Sequence, residues 1–260
     1  MQDLKVTAIQ TELVWEDIES NLAAFDSKID AIEDETHLIV LPEMFTTGFS
    51  MNPAALAQDM RGSAIVWLKE KARHKNVDMV GGIIVKEDDK FFNRLIWAKP
   101  AGEIFTYDKK HLFRMAGEEK VYSAGHKNIT VELHGWKIRP FICYDLRFPV
   151  WTRNIDKQYD AAIFIANWPA RRSGHWKLLL QARAIENQCF VIGVNRVGTD
   201  GNGHPYSGDS AVIDPWGSVL FQKSDLACTF TTPLSYEVLQ KSRQAFPVWM
   251  DADNDLIRPD

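Results

Sequence analysis

Three polar residues of different types, Glu43, Lys109 and Cys143, stand inside or at the end of apolar stretches of the sequence. A thiol that attacks an amide needs a base for its proton, a positive charge or dipole for the oxyanion, and a proton for the leaving amine. A glutamate, a lysine and a cysteine can together meet these needs without a histidine. The backbone N–H of Tyr144, directly after the cysteine, could be a second donor to the oxyanion. The combination predicts cysteine-dependent attack on an amide.

Taken one at a time, the same residues have structural interpretations. A free cysteine such as Cys143 is usually a small buried hydrophobe. Glu43 follows a proline and could lie on the surface, although a carboxylate directly after a buried strand needs compensation and could act as a general base. Lys109 is one of 30 lysines and arginines and could lie on a solvated face. Cys189 and Cys228 lack comparable surroundings, and we expect both in the core.

The elements that must position these residues alternate between apolar strands and helices. Short apolar runs predict strands over 6–9, 37–41, 79–85, 94–98, 136–143, 161–166, 189–194, 210–213 and 227–231. Apolar residues at helical spacing predict helices over 21–32, 63–74 and 176–187. This number of strands predicts a layered α/β sandwich. Reactive residues that follow strands in such folds face a crevice at the edge of the sheet.

Two details of the helices follow from residue type. Ser63 is predicted to be the N-cap of the second helix, because serine accepts a hydrogen bond from a free backbone N–H there. The third helix is predicted to bury an apolar stripe, made of Trp176, Leu179, Leu180, Ala184 and Ile185.

The composition is that of an ordinary globular protein, with 45% hydrophobic and 25% charged residues among 260. We predict a single domain over residues 1–260. The net charge of −5 with no clustered basic run argues against a nucleic-acid partner. Three dispersed cysteines without a CxxC pair argue against a disulfide framework and favour a reducing compartment. Residues 1–10 lack a signal-peptide pattern, and no apolar stretch approaches the roughly 18 residues of a membrane span, so we expect a cytoplasmic protein.

Three motifs in order resemble those of the nitrilase superfamily of carbon-nitrogen hydrolases. They are Leu41–Glu43, Tyr107–Phe113 and Ile142–Pro149, within a matching region from about Val6 to Gly217. The resemblance implies a four-layer α-β-β-α sandwich that forms a homodimer. The segment from about residue 218 to 260 would then extend over the core or over the dimer partner.

The resemblance also implies a mechanism. Cys143 would attack the amide carbon and form a thioester, with Glu43 as the general base. Lys109 and the Tyr144 backbone N–H would stabilise the oxyanion, and no metal or organic cofactor would be needed. A further glutamate near the lysine is typical of the family; the register of residues 117–125 fits Glu118 better than its neighbour Glu119.

The substrate is suggested by a closer resemblance to the bacterial YafV-type ω-amidases, in residues 114–118, 143–151 and 246–249. That resemblance implies hydrolysis of the terminal amide of 2-oxo acids such as 2-oxoglutaramate and 2-oxosuccinamate. Candidate substrate-binding residues follow the cysteine or lie in the loop after residue 166: Arg147, Phe148, Trp168, Arg171, Arg172 and Trp176, with Tyr206 further along. Arginine suits a bidentate hold on a carboxylate. The alternatives for these residues are solvated arginines and aromatic core packing.

Other functions remain open at this stage. Hydrolysis of deaminated glutathione or of an N-carbamoyl compound would use the same catalytic residues, although N-carbamoyl hydrolases tend to have two consecutive arginines where this chain has Leu146-Arg147. A non-catalytic scaffold protein with this fold would be expected to lack at least one of Glu43, Lys109 and Cys143, and all three are present. A thiol redox protein would need a second cysteine near Cys143, for which the sequence gives no signal.

Overall fold

Two β-sheets stack face to face, and helices cover the outer face of each. The computed structural model describes residues 1–257; residues 258–260, the end of the predicted domain and of its C-terminal segment, lie outside the described residues. The strands are β1 (Leu4–Gln10), β2 (Leu38–Val40), β3 (Asp78–Glu87), β4 (Lys90–Ala98), β5 (Ile104–Asp108), β6 (Val131–Leu133), β7 (Trp136–Ile142), β8 (Ala161–Ile165), β9 (Phe190–Val194), β10 (Val197–Thr199), β11 (Pro205–Ile213), β12 (Val219–Ser224) and β13 (Cys228–Leu234).

The helices vary from single turns to four turns. They are α1 (Ile18–Asp30), α2 (Pro53–Leu56), α3 (Ser63–Lys75), α4 (Glu118–Val121), α5 (Ser173–Asn187), α6 (Tyr236–Ala245) and α7 (Asn254–Ile257). Short 3-10 helices lie at Arg114–Ala116, Cys143–Arg147, Ile155–Lys157, Ala170–Arg172 and Val248–Asp251.

Each sheet has a parallel centre. The first has the order β13-β1-β2-β3-β4-β5, in which β1, β2 and β3 are parallel. The second has the order β10-β11-β9-β8-β7-β6, with β12 paired to β11, and β7, β8 and β9 are parallel. The carboxyl ends of parallel strands are the usual place for a site in an open α/β sheet.

Apolar side chains fill the space between the sheets. Val6 and Val80 of the first sheet belong to the same buried cluster as Phe141 and Phe164 of the second. The rings of Phe141 and Phe164 are stacked, with centroids 5.0 Å apart. The central strands are therefore buried on both faces, which explains why β2 and β8 are apolar throughout rather than alternating.

Helices complete the outer layers. Phe25 of α1 and Leu68 of α3 share a buried cluster with Met79 on the outer face of the first sheet. On the second sheet, α5 comes so close that a Cβ on Gly193 of β9 would lie 2.5 Å from Cδ1 of Leu180. The layer order is α-β-β-α, and the predicted fold class is confirmed.

Two predictions about helix ends and faces are wrong. Ser63 is the first residue of α3, and Gly62 occupies the N-cap position with no side-chain hydrogen bond. In α5, Ile185 is 53% exposed, so it is not part of the buried stripe. Arg183 is buried in its place because its guanidinium donates to the carbonyl oxygen of Leu146, at 3.1 Å from Nε and 2.7 Å from Nη2.

The last part of the chain belongs to the layers already described. β13 pairs with β1, with Leu234 opposite Leu4. α6 buries Leu239, and Nη1 of Arg243 lies 2.7 Å from Oδ1 of Asp160. None of the helices within residues 1–257 is long and apolar enough to cross a membrane.

Candidate active site

Lys109 lies between two carboxylates in the interior of the protein. Its Nζ is 2.9 Å from Oε1 of Glu43 and 3.0 Å from each carboxylate oxygen of Glu118. All three side chains are at most 1% exposed. Glu118, which the register of residues 117–125 favoured over Glu119, is thus the glutamate beside the lysine.

These residues stand just beyond the ends of strands or at the start of a helix. Glu43 follows β2, Lys109 follows β5, and Glu118 begins α4. Gly82 of β3 lets the Glu43 turn approach the sheet, because an added Cβ would lie 3.0 Å from Cα of Glu43. Gly125 does the same beside Lys109, since a Cβ on Gly125 would lie 2.2 Å from the carbonyl oxygen of Asp108. Small residues thus allow the strand ends to converge.

Two buried asparagines hold the carboxylates in place. Nδ2 of Asn93 donates to Oε1 of Glu43 at 2.7 Å and to Oε1 of Glu118 at 3.0 Å. The backbone N–H of Asn167 donates to Oε2 of Glu43 at 2.7 Å, and its Nδ2 donates to the carbonyl oxygen of Glu43. Each oxygen of the Glu43 carboxylate therefore has a fixed donor. Asn93 was not among the predicted site residues, because it lies just before the predicted strand 94–98 and next to the charged Arg94.

The charges of the cluster depend on one another. Burial alone would lower the pKa of Lys109, but the carboxylates of Glu118 and Glu43 raise it above the usual range for lysine. Burial raises the pKa of the Glu118 carboxyl group, and Lys109 partly opposes this. Lys109 therefore keeps its positive charge at neutral pH and can stabilise an oxyanion.

Cys143 is held in an unusual backbone conformation directly after β7. It begins the 3-10 helix at residues 143–147 and has a φ of +44°. This left-handed region is strained for a residue with a Cβ, and such strain concentrates at functional sites. Burial raises the pKa of the Cys143 thiol well above its usual value, and the charge of the Glu43 carboxylate raises it further. Lys109 opposes this, so the resting thiol is neutral and its attack requires a base.

Cys143 and Lys109 lie on the wall of a cavity of about 490 Å³. Tyr144 also lines this cavity, as do four of the six residues predicted to bind substrate, Arg147, Trp168, Arg171 and Arg172. Tyr206 lines it too. Lining residues that the sequence argument did not name as pocket residues include Trp15, Glu16, Phe49, Phe113, Asp200 and His204.

Two predicted substrate-binding residues lie elsewhere. The ring of Phe148 is stacked on the imidazole of His111, with centroids 3.7 Å apart. Trp176 is fully buried in the stripe of α5, and its Nε1 donates to the carbonyl oxygen of Asp209 at 2.9 Å. Neither residue lines the cavity. The interpretation as aromatic packing, left open by the sequence, is the correct one for both.

The three arginines bring positive charge to the cavity wall. Within residues 1–257, none of Arg147, Arg171 and Arg172 forms an ion pair with a carboxylate. The guanidinium of Arg147 lies 4.7 Å from the ring centroid of Trp168, and that of Arg172 lies 5.1 Å from the ring centroid of Phe113. Burial lowers the pKa of Arg172, and the neighbouring Arg171 lowers it further. Aromatic rings thus position two guanidinium groups that can bind an anionic group of a substrate.

The sequence as a whole matches one protein family. The model described as carbon-nitrogen hydrolase matches residues 5–244. The chain belongs to the carbon-nitrogen hydrolase family. Its resemblance to the nitrilase superfamily, predicted from three motifs, is therefore confirmed.

Two proteins that are similar to this chain over nearly its whole length are amidases. Omega-amidase YafV of Escherichia coli strain K12 is 47% identical, over 97% of this chain and 98% of its own length. The 2-oxoglutaramate amidase of Bacillus subtilis strain 168 is 34% identical, over 96% of this chain and 98% of its own.

The fold is shared with a solved carbon-nitrogen hydrolase. XC1258 of Xanthomonas campestris, a CN-hydrolase superfamily protein with an arsenic adduct in its active site, matches with a TM-score of 0.94. It is 40% identical, and the match covers 97% of this chain and 98% of XC1258. The layer order described above is therefore that of a carbon-nitrogen hydrolase.

Proposed function

We propose that this carbon-nitrogen hydrolase cleaves the terminal amide of 2-oxo acid amides, such as 2-oxoglutaramate and 2-oxosuccinamate, to the 2-oxo dicarboxylate and ammonia. The observation that carries the proposal is one cavity lined both by Cys143 with Lys109 and by arginines that have no carboxylate partner within residues 1–257. A small molecule with an amide at one end and a carboxylate at the other complements such a cavity. Relatives named omega-amidase and 2-oxoglutaramate amidase support the same substrate class.

The first chemical step forms a bond from Sγ of Cys143 to the amide carbon. Glu43 takes the thiol proton as the bond forms, because burial favours the neutral thiol and the Glu43 carboxylate is close enough to raise the thiol pKa further. The amide oxygen becomes an oxyanion, which Lys109 and the backbone N–H of Tyr144 stabilise. Holding Lys109 between fixed carboxylates means that its charge is already in place when the oxyanion forms.

The second step breaks the carbon–nitrogen bond. Glu43 returns its proton to the leaving nitrogen, ammonia departs, and the acyl group remains on Cys143 as a thioester. Glu43 then takes a proton from a water molecule that attacks the thioester carbon, and the same donors stabilise the second oxyanion. Collapse of this intermediate returns the proton to the sulfur and releases the carboxylate product.

Glu118 has a different role in this mechanism. Both of its oxygens contact Nζ of Lys109, and one also accepts a hydrogen bond from the backbone N–H of Phe113 at 2.6 Å. These contacts hold Nζ of Lys109 between Glu118 and Glu43. We assign Glu118 to positioning the lysine rather than to proton transfer.

Arg172 is the arginine that best suits the substrate carboxylate. It is half-buried, it is positioned by the ring of Phe113, and it lines the same cavity as Cys143. Arg171 is more exposed, and Arg147 already contacts Nδ1 of His175 at 3.1 Å. An amide substrate held by Arg172 would keep its carboxylate within the same cavity as Cys143.

The Arg172→Met variant is expected to raise KM for 2-oxoglutaramate about 10- to 100-fold, because a hydrogen bond to a charged group contributes about 1.5–3 kcal/mol. The measurement is steady-state ammonia release, with Arg61→Met as the control, since Arg61 is 91% exposed and outside the cavity. A neutral amide of the same chain length, which has no carboxylate for Arg172 to bind, should be a poor substrate for the parent protein and for Arg172→Met. An unchanged KM in Arg172→Met would contradict the assignment of the substrate carboxylate to Arg172.

The substrate class is tested with the intact protein. We expect rapid ammonia release from 2-oxoglutaramate and 2-oxosuccinamate, and slower turnover of deaminated glutathione. If neither 2-oxo acid amide is cleaved while an N-carbamoyl compound is, the proposed substrate class is wrong.

We also propose a single domain that forms a homodimer. Large apolar side chains on the surface support this association: Leu178 is 68% exposed and Ile185 is 53% exposed on α5, and Phe246 is 60% exposed just after α6. Light scattering after gel filtration should give twice the 29.7 kDa mass of the chain. Leu178→Lys combined with Ile185→Lys is expected to give monomers, and a monomeric parent protein would contradict the proposal.

A further inference from the structure

The carboxylate of Asp145 is fully buried near the nucleophile, and the mechanism above does not use it. Its Oδ2 accepts hydrogen bonds from the hydroxyl of Tyr107 at 2.7 Å and from the backbone N–H of Ile142 at 3.1 Å. Its Oδ1 accepts from the backbone N–H of His111 at 2.9 Å and lies 2.8 Å from Nδ1 of the His111 imidazole. An ionised carboxylate can only accept, so Nδ1 of His111 carries the proton.

The partners of Asp145 belong to the two segments that carry the catalytic pair. Tyr107 and His111 stand on either side of Lys109, in and just after β5 of the first sheet. Ile142 is the last residue of β7 in the second sheet and directly precedes Cys143. One carboxylate therefore binds the Lys109 segment and the Cys143 turn at the same time.

The side chains around this carboxylate are themselves fixed. Nε1 of Trp151 donates to the hydroxyl oxygen of Tyr107 at 2.9 Å. The His111 ring is stacked on Phe148 with an angle of 10° between the planes. Neither Asp145 nor His111 lines the cavity, so they have no direct route to a bound substrate. Their effect on the reaction must pass through the residues that they hold.

We propose that Asp145 is a positioning residue that sets the distance between Nζ of Lys109 and Sγ of Cys143. It does so by joining the two strand ends across the gap between the sheets, and it supports the positive-φ turn at Cys143. This inference rests on the proposed roles of Cys143 and Lys109. A displacement of about 1 Å at reacting groups can lower a rate on the order of 100-fold.

A carboxamide cannot replace this carboxylate. In one orientation, the Nδ2 group of asparagine would face the backbone N–H of Ile142; in the other, it would face the backbone N–H of His111. Either orientation places a donor against a donor and leaves a buried backbone N–H without an acceptor. Asp145→Asn therefore releases one of the two segments while changing the side-chain volume very little.

The expected result for Asp145→Asn is a fall in kcat of about 100-fold with KM for 2-oxoglutaramate changed less than about threefold. The rate of Cys143 alkylation by iodoacetamide, measured against pH, should shift to higher pH, because the thiolate loses the nearby charge of Lys109. Asp160→Asn is the control: Asp160 is also buried and accepts from the Lys137 backbone N–H at 3.0 Å and from Arg243 at 2.7 Å. It should lower the unfolding temperature and leave both kcat and the alkylation profile unchanged.

Tyr107→Phe keeps the proposal testable if Asp145→Asn does not fold, since it removes one hydrogen bond to Asp145 together with the hydroxyl that accepts from Nε1 of Trp151, and leaves the ring in place. It should lower kcat about tenfold, without raising KM, and shift the alkylation profile in the same direction. Folded Asp145→Asn protein with parental kcat and alkylation would overturn the positioning role, as would equal effects in Asp160→Asn. If the parent protein releases no ammonia from 2-oxoglutaramate, the substrate proposal fails, but the alkylation profiles still test Asp145.

Discussion

Replacing Cys143 with alanine is expected to lower kcat for ammonia release from 2-oxoglutaramate by at least about 10⁴-fold, to the background of the assay. The sulfur supplies the bond that divides one difficult hydrolysis into two easier steps, and no other described side chain lies where it could replace it. The variant should fold, because alanine accommodates the cavity wall with a smaller side chain.

A buried thiol elsewhere provides the control. Cys189 is also fully buried, and its Sγ lies 4.0 Å from the carbonyl oxygen of Arg183. Cys189→Ala should keep its activity, with a moderate loss of stability from the small void. Mass spectrometry of the acid-quenched parent enzyme should find the acyl group on the peptide that contains Cys143. Substantial turnover by Cys143→Ala would disprove the thioester mechanism.

Lys109→Met is expected to lower kcat by about 10³-fold and to destabilise the protein by about 3–5 kcal/mol. The rate falls because the oxyanion loses its charged partner. The stability falls because Glu43 and Glu118 are left as two buried carboxylates without a cation between them. Ammonia release and chemical denaturation measure the two effects separately.

The stability loss should depend on pH. Burial already raises the pKa of Glu118 in the parent, against the opposing effect of Lys109, so removing the lysine raises it further. A carboxyl group with a raised folded-state pKa stabilises the fold below its unfolded pKa and loses that contribution as pH rises through the folded value. The unfolding temperature of Lys109→Met should therefore fall more steeply than that of the parent as pH rises above the unfolded-state pKa of glutamate, about 4.3.

Lys71→Met is the matched control, because Lys71 lies near Asp26 at 2.8 Å and Asp30 at 3.4 Å at the protein surface. Solvent stabilises those carboxylates after the lysine is removed, so the loss should be below about 1 kcal/mol and nearly independent of pH. Equal losses in the two variants would mean that burial does not govern the cost at Lys109.

The sequence was most informative where strands are buried on both faces. β2 and β8 could be predicted because each is an uninterrupted apolar run. β5 could not, because it is half-buried and contains a threonine and an aspartate. β12 was missed for a similar reason, since most of its residues are exposed or partly exposed.

The same limit applies to the site. Glu43, Lys109 and Cys143 could be proposed because each is a polar residue beside apolar ones, and the fold brings all three to one place. The direction of a side chain after a strand end depends on backbone angles such as the positive φ at Cys143, which residue type does not reveal. Phe148 and Trp176 were misassigned for this reason, because an aromatic ring near a nucleophile packs in the core as readily as it lines a cavity.

The pairing of β13 with β1 has a consequence for how the enzyme is made. Leu4 lies opposite Leu234, so the first sheet is completed by β13, which is synthesised after the other strands of the described residues 1–257. Until then, one edge of β1 has no neighbour, and closing such a long loop is slow. The second sheet, which carries Cys143, is built from strands between residues 131 and 224 and is therefore available earlier. We therefore expect the strand that precedes Cys143 to be synthesised and paired before the first sheet, which positions Glu43 and Lys109, is complete.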